Sequence, residues 1–87
     1  MNEQTRIVQL LSMYEKLELT LEQCRGALTI SEALCIERII EFRQSQMVLL
    51  ADASRIDGEE AELKKTLAAR MGSVAACYES RLHRKEL

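Results

Sequence analysis

The sequence contains no proline and no tryptophan, and it has only three glycines, two tyrosines, one phenylalanine and one histidine. Without proline, nothing in the chain forces a helix to break. The scarcity of aromatic and β-branched residues argues against a sheet. Leu, Ala, Glu, Arg and Gln, which are strong helix formers, supply much of the rest. The composition therefore predicts an all-α protein.

Long apolar runs are also absent, and none approaches the ~18 residues of a membrane span. Residues 1 to 20 carry charged side chains through the part that would form a signal core. Apolar residues make up 47% of the chain and charged residues 30%, as in ordinary globular proteins. We expect one helical domain over residues 1 to 87, located in the cytoplasm and not inserted in a membrane.

Catalytic motifs are missing as well. The chain has no Gly-rich phosphate loop, no GxSxG and no HExxH, and its one histidine, His83, lies in the charged segment RLHRKEL. A net charge of −2 argues against a nucleic-acid-binding protein. Cys24, Cys35 and Cys77 are too far apart for a metal motif and odd in number, so we expect buried, reduced thiols. The sequence predicts no enzyme, no metal site and no cofactor.

The first helix is predicted over residues 3 to 27, because its apolar residues recur at alternating steps of three and four, as in a heptad repeat. These residues are Ile7, Leu10, Tyr14, Leu17, Leu21, Cys24 and Leu28. The pattern fits a helix in an antiparallel hairpin or bundle with coiled-coil-like packing. It also fits one strand of a parallel coiled-coil dimer.

A break is predicted between Gly26 and Ser31. Gly26 weakens the helix by about 1 kcal/mol relative to alanine, and Thr29 with Glu32 matches a capping box, with Ser31 as a rival N-cap. A loop this short would turn the second helix back antiparallel to the first. The alternative is one continuous helix through Gly26.

The second helix, about residues 32 to 55, is the most apolar, and we expect the rest of the chain to be organised around it. It carries two neighbouring apolar rows, wider together than the ~100° stripe that one neighbour requires. One row is Cys35, Ile39, Phe42, Leu49, Ala53 and Ile56, and the other is Ala33, Ile36, Ile40, Met47 and Leu50. We expect this helix to be too apolar for its own chain to cover.

The third helix is predicted over residues 58 to 84. Asp57 and Glu60 match a second capping box, and acidic residues fill the first turn, where they complement the helix dipole. A row of small residues follows: Ala68, Ala69, Gly72, Ser73, Ala75 and Ala76. This row fits either tight packing against the second helix or a shallow groove for a partner helix.

The surplus apolar surface predicts a binding module that buries a partner's amphipathic helix against the second and third helices. The predicted partner-binding residues are Phe42, Met47, Leu50, Met71, Val74 and Tyr78. Methionine suits a surface that adapts to its partner. The alternative is a homodimer formed through the heptads of the first helix, serving as a scaffold or anti-adapter.

Several short stretches carry a resemblance to a known family. They are Tyr14 with Leu17, Leu19-Thr20, the break before Glu32, Ile39-Ile40, Arg43-Gln44, Leu49-Leu50, Glu62-Leu63-Lys64 and Tyr78 to Leu82. In this order the sequence resembles the small helical chaperones of flagellar type III export, of the FliT and FlgN kind. The resemblance implies a helical hairpin that binds the amphipathic C-terminal helix of an export substrate, with possible contact to the export ATPase or gate. It implies no catalytic residue.

Overall fold

Three α-helices account for most of the chain in the computed structural model, which describes residues 3 to 85. They are α1 (Glu3–Gly26), α2 (Glu32–Ala53) and α3 (Glu59–Lys85), and no strand occurs within these residues. The predicted helix bounds agree with the structure to within two residues. The prediction of an all-α three-helix bundle is confirmed.

The central helix is α3, and the prediction that α2 would organise the chain is wrong. Both α1 and α2 pack against α3, whereas within residues 3 to 85 no Cα atom of α1 lies within 8 Å of one on α2. The reason is that α3 has apolar residues on two sides. Leu67 and Val74 have almost no solvent exposure, and the equally buried Ala68 and Ala75 stand one turn on either side of Gly72, which faces Gln46 of α2.

Polar contacts along α3 fix the direction of its neighbours. At one end, Arg6 Nε of α1 lies 2.9 Å from Glu60 Oε1. At the other end, Arg81 donates to the carbonyl of Arg25. The helices α1 and α3 therefore run parallel. Because Arg43 of α2 lies 2.6 Å from Glu79, near the end of α3, and the later Asp52 lies 4.0 Å from Lys64, near its start, α2 runs antiparallel to α3.

The core follows the predicted apolar stripes of all three helices. Leu67, Val74 and Cys35 have almost no solvent exposure. The rings of Phe42 and Tyr78 stack with centroids 6.4 Å apart and join α2 to α3. The remaining large members of the core cluster are Leu10, Leu17, Leu21 and Met71. The first-helix stripe is confirmed except at Leu28, which is almost fully exposed because α1 has already ended.

Both breaks occur where they were predicted, but with different caps. The helix α1 ends at Gly26, so the alternative of one continuous helix is wrong. Ser31, and not Thr29, is the N-cap of α2, because its hydroxyl oxygen accepts from Leu34 N at 3.2 Å. At the second break, Gly58 directly precedes α3 and has a φ of 85°, a conformation that glycine adopts without strain. Asp57 is therefore not the residue directly before α3, as the predicted cap required.

The row of small residues on α3 divides between two faces. Ala68 and Ala75 are buried, and Ala69 and Ala76 are exposed. At Gly72 a Cβ atom would lie 2.6 Å from Nε2 of Gln46 on α2. The buried half of the row therefore lets α2 approach α3 closely. No helix within residues 3 to 85 is long and apolar enough to cross a membrane.

Candidate protein-binding groove

The helix α2 uses only one of its two apolar rows to contact α3. The row of Cys35, Phe42 and Ala53 is buried. In the other row, 52% of Ile40, 70% of Met47 and 47% of Leu50 remain exposed. This is the surplus that the width of the apolar stripe predicts. A single neighbour covers a stripe of about 100° on a helix, and α1 is too far away to cover the rest.

An open groove lies between α1 and α2 and has a volume of about 620 Å³. We call it the α1–α2 groove. Its apolar lining comes from all three helices: Met13 of α1, Ile40, Val48 and Leu49 of α2, and Met71 of α3. Met71 is buried, whereas Ile40 and Val48 are largely exposed, so Met71 forms the base and the other two lie along the side.

Two carboxylates line the same groove. Glu37 and Glu41 are one turn apart on α2, and the other polar lining residues, Gln44 and Ser45, are uncharged. Glu41 Oε2 lies 3.6 Å from Nη1 of Arg38, with both side chains about half exposed. An exposed pair of this kind contributes little, up to about 1 kcal/mol. The groove is therefore apolar along its base and negatively charged along its α2 side.

The six predicted binding residues do not form one surface. Phe42, Val74 and Tyr78 lie in the core, where they join α2 to α3, so in this structure they offer a partner no surface. Placing them on a binding face was incorrect because the facing sides of α2 and α3 cover each other. Met71 is at the base of the groove. Met47 and Leu50 are exposed on α2 and remain predicted partner contacts.

The groove also contains residues that the sequence prediction missed. Met13 follows Leu10 by three residues and precedes Leu17 by four, so helical spacing already places it beside the core stripe of α1. Val48 had no such signal, because it belongs to neither apolar row of α2. Glu37 and Glu41 likewise lie outside both apolar rows of α2. Their position beside an apolar groove depends on where α1 lies, which local periodicity does not report.

The three cysteines occur at the end of the bundle that contains the α1–α2 connection. All are free thiols, and the prediction that they are buried is confirmed for Cys24 and Cys35, whereas Cys77 is only half-buried. Burial and, to a smaller extent, the neighbouring Cys77 thiol together raise the pKa of Cys24 to about 12. Burial also raises the pKa of Tyr78. The Cys24 thiol is therefore a poor nucleophile at neutral pH, since the thiolate is the reactive form.

A polar cluster joins α1 to α3 on the side away from the groove. Arg70 Nη2 donates to Tyr14 Oη at 3.1 Å, and its guanidinium lies 5.5 Å from the Tyr14 ring centroid. Arg70 Nε is 2.6 Å from Glu18 Oε1. The Tyr14 hydrogen bond raises the pKa of Arg70, which is already fully protonated. This cluster stabilises the contact of α1 with α3.

Comparisons with known proteins gave no match, whether with family models, curated proteins or solved structures. The resemblance to flagellar export chaperones therefore stays a prediction. Among residues 3 to 85, no group of three His, Cys, Asp or Glu side chains is arranged to hold a metal ion.

Proposed function

We propose that this chain is a non-enzymatic protein-binding module that receives an amphipathic helix of a partner in the α1–α2 groove. The observation that carries the proposal is the exposed apolar lining of that groove above Met71. A helix is about 10 Å across, and a helix laid into an apolar groove is a common mode of peptide recognition. The partner helix would then cover Ile40 and Val48, as α3 already covers Phe42.

The partner class follows from the resemblance to export chaperones. We propose a cytoplasmic chaperone of a type III export system, which shields an amphipathic helix of its export substrate before export. An isolated amphipathic helix exposes an apolar face that promotes aggregation, and the groove offers that face a matching surface. The genes beside that of this protein test the class: we expect a flagellar or injectisome cluster. A different setting would contradict the export role and leave the groove proposal standing.

The groove is tested by one substitution with a matched control. Val48 and Val8 are both 60% exposed, and only Val48 lines the groove. The probe is a fluorescein-labelled synthetic amphipathic helix with a leucine ridge and glutamine flanks, measured by fluorescence anisotropy. Val48→Asp places a carboxylate against the apolar ridge, so we expect at least a tenfold rise in Kd, about 1.4 kcal/mol. Val8→Asp should leave Kd unchanged. Equal effects of the two substitutions would refute the groove as the binding site.

The second candidate is a homodimeric scaffold, formed through α2 and not through the predicted heptads of α1, whose members Leu10, Leu17 and Leu21 are buried in the core. The outward side of α2 carries Ile36, Met47 and Leu50, all exposed, and a second copy could cover them. Light scattering separates the candidates. A dimer that survives dilution and dissociates with Met47→Lys would support the scaffold. A monomer that binds the probe peptide would support the chaperone.

A further inference from the structure

The charges around the α1–α2 groove are unevenly placed. Glu37 and Glu41 line it, and no Lys, Arg or His side chain does within the described residues. The nearest cation by position on α1 is Lys16, one turn beyond Met13, and it does not belong to the lining. Arg38 is 3.6 Å from Glu41 but also lies outside the lining. A helix seated in the groove would therefore cover Glu37, which has no ion pair within the described residues, and Glu41, whose pairing with Arg38 lies outside the lining.

This arrangement selects among occupants. Covering a carboxylate without a partner is unfavourable, because the charged group loses its contact with water. Binding of a neutral helix would be weakened by this loss of hydration at the carboxylates. An acidic helix would add repulsion between like charges. A second copy of this chain, presenting its exposed α2 face, would bring its own Glu37 and Glu41 and is disfavoured for the same reason.

From these charges we infer that the occupant is an amphipathic helix of a protein partner with Lys or Arg along one flank of its apolar ridge. The ridge lies over Ile40, Val48 and Met71, and the basic flank lies beside Glu37 and Glu41. Long basic side chains suit this position, since their methylene stems pack on apolar surface while the charged ends reach the carboxylates. The inference rests on the proposed function and adds to it the charge of the partner.

Binding of three peptides tests the inference. The peptides share one leucine ridge, are about 18 residues long, or five turns, and differ only in one flank, which is Lys, Gln or Glu. With the wild-type protein at low salt, we expect the Lys peptide to bind about tenfold more tightly than the Gln peptide, and the Glu peptide to bind most weakly. The preference should diminish at high salt, because these charges are exposed to solvent before binding.

Two double variants assign the preference to the groove. Glu37→Gln with Glu41→Gln should bring the Lys and Gln peptides to similar Kd values. Glu15→Gln with Glu22→Gln removes two exposed carboxylates from α1 that do not line the groove, so it changes net charge equally and should keep the preference. The inference would be overturned if the Glu37→Gln, Glu41→Gln variant still preferred the Lys peptide to the Gln peptide. It would also be overturned if the Glu15→Gln, Glu22→Gln variant lost that preference equally.

The outcomes separate this inference from the proposed function. If all three peptides bind with equal Kd and Val48→Asp weakens each of them, the groove binds helices and the charge inference is overturned. If no peptide binds the wild-type protein, the proposed function is overturned, and this inference with it. Far-UV circular dichroism of every variant should match the wild type, because the substituted residues are exposed.

Discussion

Three valines provide a direct test of which apolar residues form the core. Val74 has no solvent exposure, whereas Val8 and Val48 are each 60% exposed. The same substitution, Val→Ala, can therefore be made at one buried and two exposed positions, all within helices. The sequence prediction placed Val74 on the partner-binding surface, and the structure places it in the core. These two placements of Val74 predict different effects of Val74→Ala on the stability of the free protein.

The expected loss at Val74 can be worked out from its surroundings. Val74→Ala removes two methyl groups, about 1.6 kcal/mol at ~0.8 kcal/mol each. The cavity left among rigid helices adds about 1 kcal/mol. Alanine has the higher helix propensity, which offsets about 0.5 kcal/mol. The free energy of unfolding should therefore fall by about 2 kcal/mol, and Tm by about 8–16 °C for a domain of this size.

The measurement is thermal unfolding followed by circular dichroism at 222 nm, with urea unfolding as a second estimate of the free energy. Val8 and Val48 are largely exposed, so Val→Ala there loses little apolar burial and leaves no cavity. The higher helix propensity of alanine should then leave stability unchanged or raise it by up to about 0.5 kcal/mol. Three variants with equal Tm would refute the packing of α2 against α3 described above. They would return Val74 to the list of candidate partner contacts.

Two further predictions concern the caps and the buried thiol. Ser31→Ala should lower the free energy of unfolding by about 1 kcal/mol, because Leu34 N loses its acceptor. Thr29→Ala should have little effect. A larger loss at Thr29 than at Ser31 would contradict the observed cap. Stability should fall as pH rises from about 9, the ordinary pKa of a thiol here, towards the folded pKa of about 12 for Cys24, because the folded state holds the proton more tightly. In reductant, Cys24→Ala should lose the part of this alkaline dependence that begins near pH 9. It should keep most of the part due to Tyr78, which begins from its ordinary value of 10.0, because burial raises the pKa of Tyr78 more than the Cys24 charge does.

The helices were predictable because their signals are local. Apolar residues at steps of three and four, Gly26 at the end of α1 and acidic residues at the start of α3 each act within a few residues. The sequence pattern did not decide between Thr29 and Ser31 as N-cap. Both residues lie close enough in sequence to the first turn of α2 for a side-chain hydroxyl to accept from a free backbone N–H. That choice depends on where the loop places the backbone, and the loop is positioned by packing of Ile30 against the core.

The arrangement of the helices was less accessible from the sequence. An apolar stripe shows that a helix needs cover, but not which helix provides it. The wide apolar stripe of α2 suggested that α2 is the central helix. Instead α3 is central, because the small buried residues Ala68 and Ala75 give it a second contact face in addition to its row of large apolar residues. The same limit applies to the binding residues. Phe42 and Tyr78 have the periodicity of core residues and of partner contacts alike, and only the packing distinguishes the two.

The groove itself follows from this use of α3. Contacts at Arg6–Glu60 and Arg70–Glu18 join α1 to α3, and contacts at Arg43–Glu79 join α2 to α3. Each flanking helix is thus tied to α3 along its own side. Closing the groove would require both to rotate about α3, which would break these contacts and expose core residues that now lie against it. The apolar surface between α1 and α2 is therefore a stable feature of the fold, and covering it without unpacking the bundle requires a group from outside the three helices.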